Sequence, residues 1–228
     1  MPVFWSGAVH DRNSERQRLR AYAFYCGLIW RYAEWHDRIG ALRLAEPSLG
    51  RPMPVVLRDR LISQDLAMAS LDLNAMAAVI DLAKVRRVLE IGAGYGRLSY
   101  MFASLYPGID YVVADIAPAL AVAKHYLPAV CAGKFSFVLP RELDAMPEQS
   151  FDLIINVSSL DEMPPAVQQR YIARIDRLCG RHLYLSGHYY RRNGQGLDQL
   201  NFPASWRLRF NQRHDVFPRW VEKLFSIR

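Results

Sequence analysis

Residues 85–96 read V-R-R-V-L-E-I-G-A-G-Y-G. A short run of valine, leucine and isoleucine carries an acid, Glu90, and glycines follow at alternate positions, Gly92, Gly94 and Gly96. Leu98, Met101, Phe102 and Leu105 then recur on one helical face. Strand, glycine loop and helix in this order form the entry unit of an open α/β sheet. The glycines let the chain turn sharply and let a ligand reach bare backbone. The helix start offers free N–H groups to an anionic or polar ligand.

The chain outside this unit continues the alternation. Pro107-Gly108 ends the first helix, and the run from Ile109 to Asp115 is a second strand closed by an acid. Pro118 marks a helix start, and that helix is expected to end by Pro128. Phe135 to Leu139 and Phe151 to Val157 read as strands three and four. Pro164-Pro165 opens a helix with Val167, Tyr171, Ile175 and Leu178 on one face, which Gly180 is expected to cap. His182 to Ser186 is a fifth strand, leaving into Gly187-His188-Tyr189-Tyr190. The fold class expected is α/β, Rossmann-like, with a mostly parallel central sheet flanked by helices and a helical extension at the N-terminus.

Upstream, Asn13-Ser14 offers a cap for a helix reaching about Asp37, rich in Tyr22, Phe24, Tyr25, Trp30, Tyr32 and Trp35. It reads either as a lid over a substrate or as a helix packed on the main fold; Glu34 and His36 near its end are weak chemical candidates. Glu46 to Pro54, with Pro47, Gly50, Pro52 and Pro54, reads as a linker. A second helix is expected from about Ser63 to Leu82. The division is therefore 1–50 as a helical cap, 51–190 as the ligand-binding core, and 191–228 as a basic aromatic extension that completes or covers it.

Composition narrows the classes. With 228 residues, half of them hydrophobic, the chain can bury one sizeable core. It contains no apolar run long enough to cross a membrane, and its first ten residues lack the pattern of a signal peptide. Cys26, Cys131 and Cys179 are scattered and form no C-x-x-C, as expected of reduced thiols in the cytoplasm. Of the formal net charge of +7, +6 lies from Arg181 onward, where nine Lys and Arg face three Asp and Glu. That tail reads as a solvated arginine-rich surface or as one that steers an anionic partner.

The dinucleotide fingerprint G-x-G-x-x-G would put its third small residue at Arg97, so the loop departs from it. The E-x-G-x-G-x-G arrangement instead resembles the loop of class I S-adenosylmethionine-dependent methyltransferases. Three longer stretches carry a narrower resemblance: V-L-E-I-G-A-G-Y-G-R-L-S-Y from Val88, Y-V-V-A-D-I-A-P-A-L-A-V-A-K-H-Y-L from Tyr111, and F-D-L-I-I-N-V-S-S-L-D-E-M from Phe151. They are similar to the sugar O-methyltransferase family, with coverage from about Val85 to Tyr190 and a departure at Ala117, where that family has a proline. The resemblance implies S-adenosylmethionine as cofactor. It places Glu90, Gly92, Ala93, Gly94, Tyr95 and Gly96 at the loop, and Asp115 on the ribose with Ile116 beside it. Asn156 and Ser158 are expected at the methionine moiety or shaping the strand end.

A sugar hydroxyl needs a base to act as a nucleophile at neutral pH. Glu162 and His188 are the expected candidates, with Asp161 third, because all lie just past the carboxyl ends of strands, where ligands bind in open α/β sheets. Glu162 also reads as a carboxylate complementing a helix start, and His188 as a hydrogen-bonded loop residue. These three side chains could ligate a metal, but no tight ligand spacing is present and none is expected. The expected partner is a small-molecule acceptor, a sugar or glycosylated metabolite, rather than nucleic acid; a homo-oligomer is compatible with the aromatic tail. RNA or protein methylation and a catalytically silent binding subunit are the competing readings. No N/D-P-P-Y/F motif of base-amine methyltransferases is present, since Asn156-Val157-Ser158-Ser159 stands in its place.

Overall fold

The computed structural model describes residues 12–50, 53, 55–192 and 195–227. Seven strands form one sheet: β3 (Arg87–Ile91), β4 (Asp110–Ala114), β5 (Lys134–Val138), β6 (Phe151–Val157), β7 (Cys179–His188), β8 (Arg207–Arg213) and β9 (Trp220–Ser226). They lie in the order β5-β4-β3-β6-β7-β9-β8. Strands β3 to β7 are parallel, and β9 runs antiparallel to both of its neighbours. From β3 the chain steps outward to β4 and β5, then returns to the other side as β6. The crevice between β3 and β6 is therefore the topological switch point, where open α/β sheets bind ligands.

Strand alternation explains why both faces are covered. Val88, Tyr111, Val113, Leu153, Ile155, Tyr184 and Leu224 point to one face, under α1 (Arg12–His36), α2 (Gln64–Ala77), α3 (Arg97–Leu105) and α4 (Ala117–Val130). Leu89, Ile91, Val112, Ile154, Leu183, Leu185 and Phe225 point to the other, against Tyr171, Ile172, Ile175 and Leu178 of α5 (Pro165–Leu178). The middles of β3, β4, β6 and β7 are thus largely apolar on both faces, whereas the edge strand β5 alternates exposed Lys134 and Ser136 with Phe135 and Phe137. The aromatic helix α1 contributes Cys26, Ile29, Trp30 and Ala33 to the first core, while Phe24 and Trp35 stay exposed.

Several sequence expectations are corrected here. Asn13 and Ser14 do not precede α1 but lie inside it, so the cap position falls outside the described residues. Helix α2 stops at Ala77, and a separate 3-10 turn at Leu82–Lys84 starts from Asp81, whose carboxylate accepts the Ala83 N–H. Helix α4 runs through Pro128 to Val130. The missing N–H there costs only one bond in a final turn, less than a proline in a helix interior. Gly180 does not cap α5: Cys179 is already extended, and the chain passes directly into β7. Gly180 instead lets the strand pass the carbonyls of Gln149 and Phe151, which an added Cβ would approach at 3.1 and 3.2 Å.

Three strand regions were not anticipated. Directly after the expected linker, β1 (Val55–Leu57) and β2 (Arg60–Ile62) form a hairpin across Arg58 and Asp59, both at positive φ. The primed two-residue turn usually advertises itself by Asn-Gly or Asp-Gly, and Arg-Asp carries no such signal. The basic tail supplies β8 and β9. Strand β8 reads R-L-R-F-N-Q-R, a largely exposed sheet edge whose charges discourage pairing with another chain.

Beneath α2 the first core contains a polar group. The Tyr184 hydroxyl lies 2.7 Å from an Asp72 carboxylate oxygen and 2.9 Å from Glu222, all three being buried. Gln212 donates to the other Glu222 oxygen at 2.7 Å. One hydroxyl proton cannot satisfy two carboxylates at once, and burial, then the Glu222 charge, pushes the Asp72 carboxyl up to about 8.

Candidate active site

The glycine loop closes the carboxyl end of β3 at the switch point. Gly92 has φ +78°, and an added Cβ would sit 2.0 Å from the Ser159 hydroxyl oxygen. Gly96 faces Leu127, which would lie 2.8 Å from a Cβ. Both glycines permit packing inside the protein. Gly94 differs: at φ +60°, nothing lies within 4 Å of where its Cβ would be. Its backbone thus faces open space, as a ligand cradle requires.

Asp115 stands over this space at the end of β4. One carboxylate oxygen accepts the Gly94 N–H at 2.8 Å and the other the Ile116 N–H at 2.7 Å. The carboxylate is therefore fixed before any ligand arrives and keeps lone pairs for hydroxyl donors. Beside it, Ile116 is 61% exposed, an apolar face next to the acid. These features fit a nucleoside: open backbone, an oriented carboxylate and an adjoining apolar surface.

Glu90 lies underneath the loop. It is buried and accepts hydrogen bonds from Ser99 at 2.5 Å and Tyr111 at 2.8 Å, with its carboxyl pushed up to about 6 mainly by desolvation. Those bonds tie β3 to the first turn of α3 and to β4. Asn156 is similarly occupied, donating to Ile91 O at 2.7 Å and accepting the Leu160 N–H at 3.0 Å. It pins the ends of β3 and β6 together. Ser158 adopts φ +49°, and its N–H reaches Ser186 O at 2.7 Å. Ala93, between the first two glycines, packs against the first core.

Tyr95 and Arg97 connect the loop to the N-terminal segments. The Tyr95 hydroxyl donates to Asp65 at 2.6 Å and accepts from Arg97 Nε at 3.0 Å. Arg97 also pairs with Glu46 at 2.6 Å, the carboxylate being fully buried. Ser63, which caps α2, donates to the second Glu46 oxygen. Glu46, read from sequence as part of a linker, is thus a buried anchor of the glycine loop. Its only sequence signal was an acid among prolines.

At the exit of β7 the structure brings Asp161 and His188 together. Asp161 is buried, and its Oδ2 lies 2.8 Å from His188 Nδ1, 3.1 Å from the His188 N–H and 3.0 Å from Arg191 Nη2. Arg191 Nη2 also approaches His188 Nδ1 at 2.9 Å. Asp161 Oδ2 can accept a hydrogen from Nδ1, whereas Arg191 can only donate to it, so these contacts hold the ring without fixing its tautomer. The Trp220 ring packs 5.6 Å from the imidazole. Glu162 stands apart: its side chain is 57% exposed and pairs with Arg191 at 3.5 Å. Arg191 was missed by sequence reading, since one arginine of a pair in a basic tail carries no distinguishing mark. Glu34 accepts from Trp30 and lies 3.9 Å from Arg58 of the hairpin turn, and His36 Nδ1 lies 2.8 Å from Tyr32 O. Among the described residues, no group of three or more His, Cys, Asp and Glu is arranged to hold a metal ion, and no helix is long and apolar enough to cross a membrane.

Residues 89–181 match the family profile described as a methyltransferase domain. That span runs from the middle of β3 to the start of β7 and includes the glycine loop, Asp115 and Asp161. No curated protein matches the chain by sequence. Among solved structures, the chain is similar to the PH0226 protein from Pyrococcus horikoshii OT3, with a TM-score of 0.56, 12% identity, and 72% of this chain and 92% of that one covered. It is also similar to an S-adenosylmethionine-dependent methyltransferase from Mesorhizobium loti, with a TM-score of 0.52, 13% identity and coverage of 67% and 95%. A third likeness is to an O-methyltransferase family protein from Burkholderia thailandensis, with a TM-score of 0.52, 11% identity and coverage of 71% and 57%. At such identities these likenesses speak to the fold, a Rossmann-like sheet flanked by helices. Residues 89–181, less than half of the chain, are thus similar to a methyltransferase domain, and S-adenosylmethionine is the cofactor that the open loop at Gly94 and the oriented Asp115 carboxylate fit.

Proposed function

We propose that the protein transfers a methyl group to a hydroxyl of a small acceptor, a sugar or glycosylated metabolite, with His188 as general base. The observation that carries this reading is the buried Asp161 holding His188 Nδ1 at 2.8 Å at the carboxyl end of β7, the strand next to β6 and so one strand beyond the switch point. The sugar assignment is supported by the resemblance of the stretches beginning at Val88, Tyr111 and Phe151.

Gly94, Asp115 and Ile116 would hold the nucleoside, and the Asn156 bonds keep the ends of β3 and β6 in register. S-adenosylmethionine supplies an electrophilic methyl group when bound. His188 Nε2 accepts the proton of the acceptor hydroxyl as it becomes nucleophilic. Asp161 orients the ring and stabilises the imidazolium that results. Arg191 holds the Asp161 carboxylate in place. Glu162, in a solvated ion pair, contributes charge rather than proton transfer.

Calorimetric titration with S-adenosylmethionine and S-adenosylhomocysteine is the test. Micromolar binding is expected, weakened in Asp115→Ala by about 1–3 kcal/mol through loss of a charge-assisted hydrogen bond. A folded sample that binds neither compound overturns the reading. With an acceptor found by screening sugars, His188→Gln should lower turnover by about 10²–10⁴-fold while leaving cofactor affinity intact, and Glu162→Gln should change it little. The reverse ranking would move the base to Glu162.

A further inference from the structure

A cavity of about 670 Å³ opens at the exit of β7, lined by His188, Tyr189, Tyr190, Arg191, Arg192 and Arg219. Its size is that of a small-molecule pocket. Its walls are held by strand pairing: His188 is in register with Trp220, and the Tyr189 N–H bonds to Arg219 O at 3.0 Å. His188 is the residue that also faces Asp161, so this cavity adjoins the group assigned as base.

The cavity carries an excess of positive charge. The two nearby acids, Asp161 and Glu162, both engage Arg191. Among the described residues, no acid pairs with Arg192 or Arg219, and both are exposed. Two guanidinium groups in a concave site match carboxylate or phosphate oxygens with paired N–H donors. Tyr190, which is exposed, adds ring surface for the body of the same ligand, while one face of Tyr189 is covered by Arg213. A neutral acceptor would leave these charges uncompensated.

We infer that the acceptor carries an anionic group, a carboxylate or a phosphate, bound by Arg192 and Arg219 in the cavity that His188 borders. This rests on the methyltransferase reading above. The cavity favours a small anion over a polyanion, because a nucleic acid backbone calls for a charged stripe rather than a pocket.

The experiment uses the full chain saturated with S-adenosylhomocysteine and titrated with inorganic phosphate and with benzoate, followed by calorimetry. Saturable one-to-one binding is expected for at least one of these anions. It should weaken at least tenfold in Arg192→Ala/Arg219→Ala and persist in Arg207→Ala/Arg209→Ala, which removes charges of the β8 edge. Equal weakening in both variants, or binding unchanged in the first, would overturn the inference, because diffuse charge would then explain the affinity. So would cofactor binding with no saturable anion binding. Anion binding in a protein that takes no S-adenosylhomocysteine would instead overturn the methyltransferase reading, and the acceptor role with it. Tighter binding of a single-stranded RNA that depends equally on Arg207 and Arg209 would overturn the small-anion assignment in favour of a polyanion.

Discussion

Asp72→Asn should flatten the alkaline loss of stability. Asp72 shares the Tyr184 hydroxyl with Glu222 inside the core, and its carboxyl is held near 8 by burial and by the Glu222 charge. In the unfolded chain an aspartate titrates near ~4. The folded state therefore binds the extra proton, and the stability gained from it is complete below about pH 4. It is lost as pH rises through 8. Between pH 7 and pH 9 the loss is about 1.4 kcal/mol, from the proton-binding difference across that window. For a chain of this size that corresponds to a fall in Tm of roughly 3–6 °C. His182 and His214, both with pKa values lowered chiefly by burial, are neutral over this range and do not contribute. Asparagine keeps a side chain able to bond Tyr184 but never ionises. Thermal melts of wild type and Asp72→Asn in steps from pH 7 to 9 decide the matter. A wild-type Tm that falls no further than that of the variant would refute the reasoning.

Other outcomes follow from the loop and its anchor. Gly94→Val should fold, with a strain cost of about 1–2 kcal/mol at its positive φ, and lose S-adenosylhomocysteine binding, because its Cβ enters open space; binding equal to wild type in calorimetry would remove the cradle assignment. Gly96→Val should instead lower Tm, since its Cβ would meet Leu127 at 2.8 Å. Arg97→Met should cost about 3–5 kcal/mol in urea unfolding by leaving Glu46 buried and unpaired. The double variant Arg97→Met/Glu46→Met should recover part of that loss; equal or greater loss would show that the pair is not what couples these segments.

The parallel part of the fold was legible because its signals are local. A β-rich run, alternate glycines and an amphipathic helix mark β3 to α3, and acids at strand ends mark Glu90 and Asp115. The rest depends on distant partners. Gly180 reads as a helix cap until the carbonyls of Gln149 and Phe151 are seen pressing on it. Glu46 reads as linker because Arg97 lies 51 residues away. Strand β8 reads as a charged tail because an exposed edge strand carries no apolar stripe. At the candidate site, Asp161, Glu162 and His188 were named together from sequence. Their different surroundings, one buried, one solvated and one cradled, are set by how the exit of β7 folds back on the turn after β6.

Strand β9 fills a slot between β7 and β8, yet 31 residues separate the end of β7 at His188 from its start at Trp220. During synthesis at ~5–20 residues per second, β7 therefore waits for seconds with one edge unpaired. In that interval Tyr184 lacks the Glu222 side chain and Leu183 lacks Phe225 across the strand. A nascent chain paused there presents a long, apolar, hydrogen-bond-hungry margin, the kind of surface that recruits other strands. The methyltransferase span 89–181 ends just inside β7, so a fragment cut to those limits would lose most of that strand and leave β6 as a permanently open margin. Its solubility, more than its chemistry, would betray the missing strand.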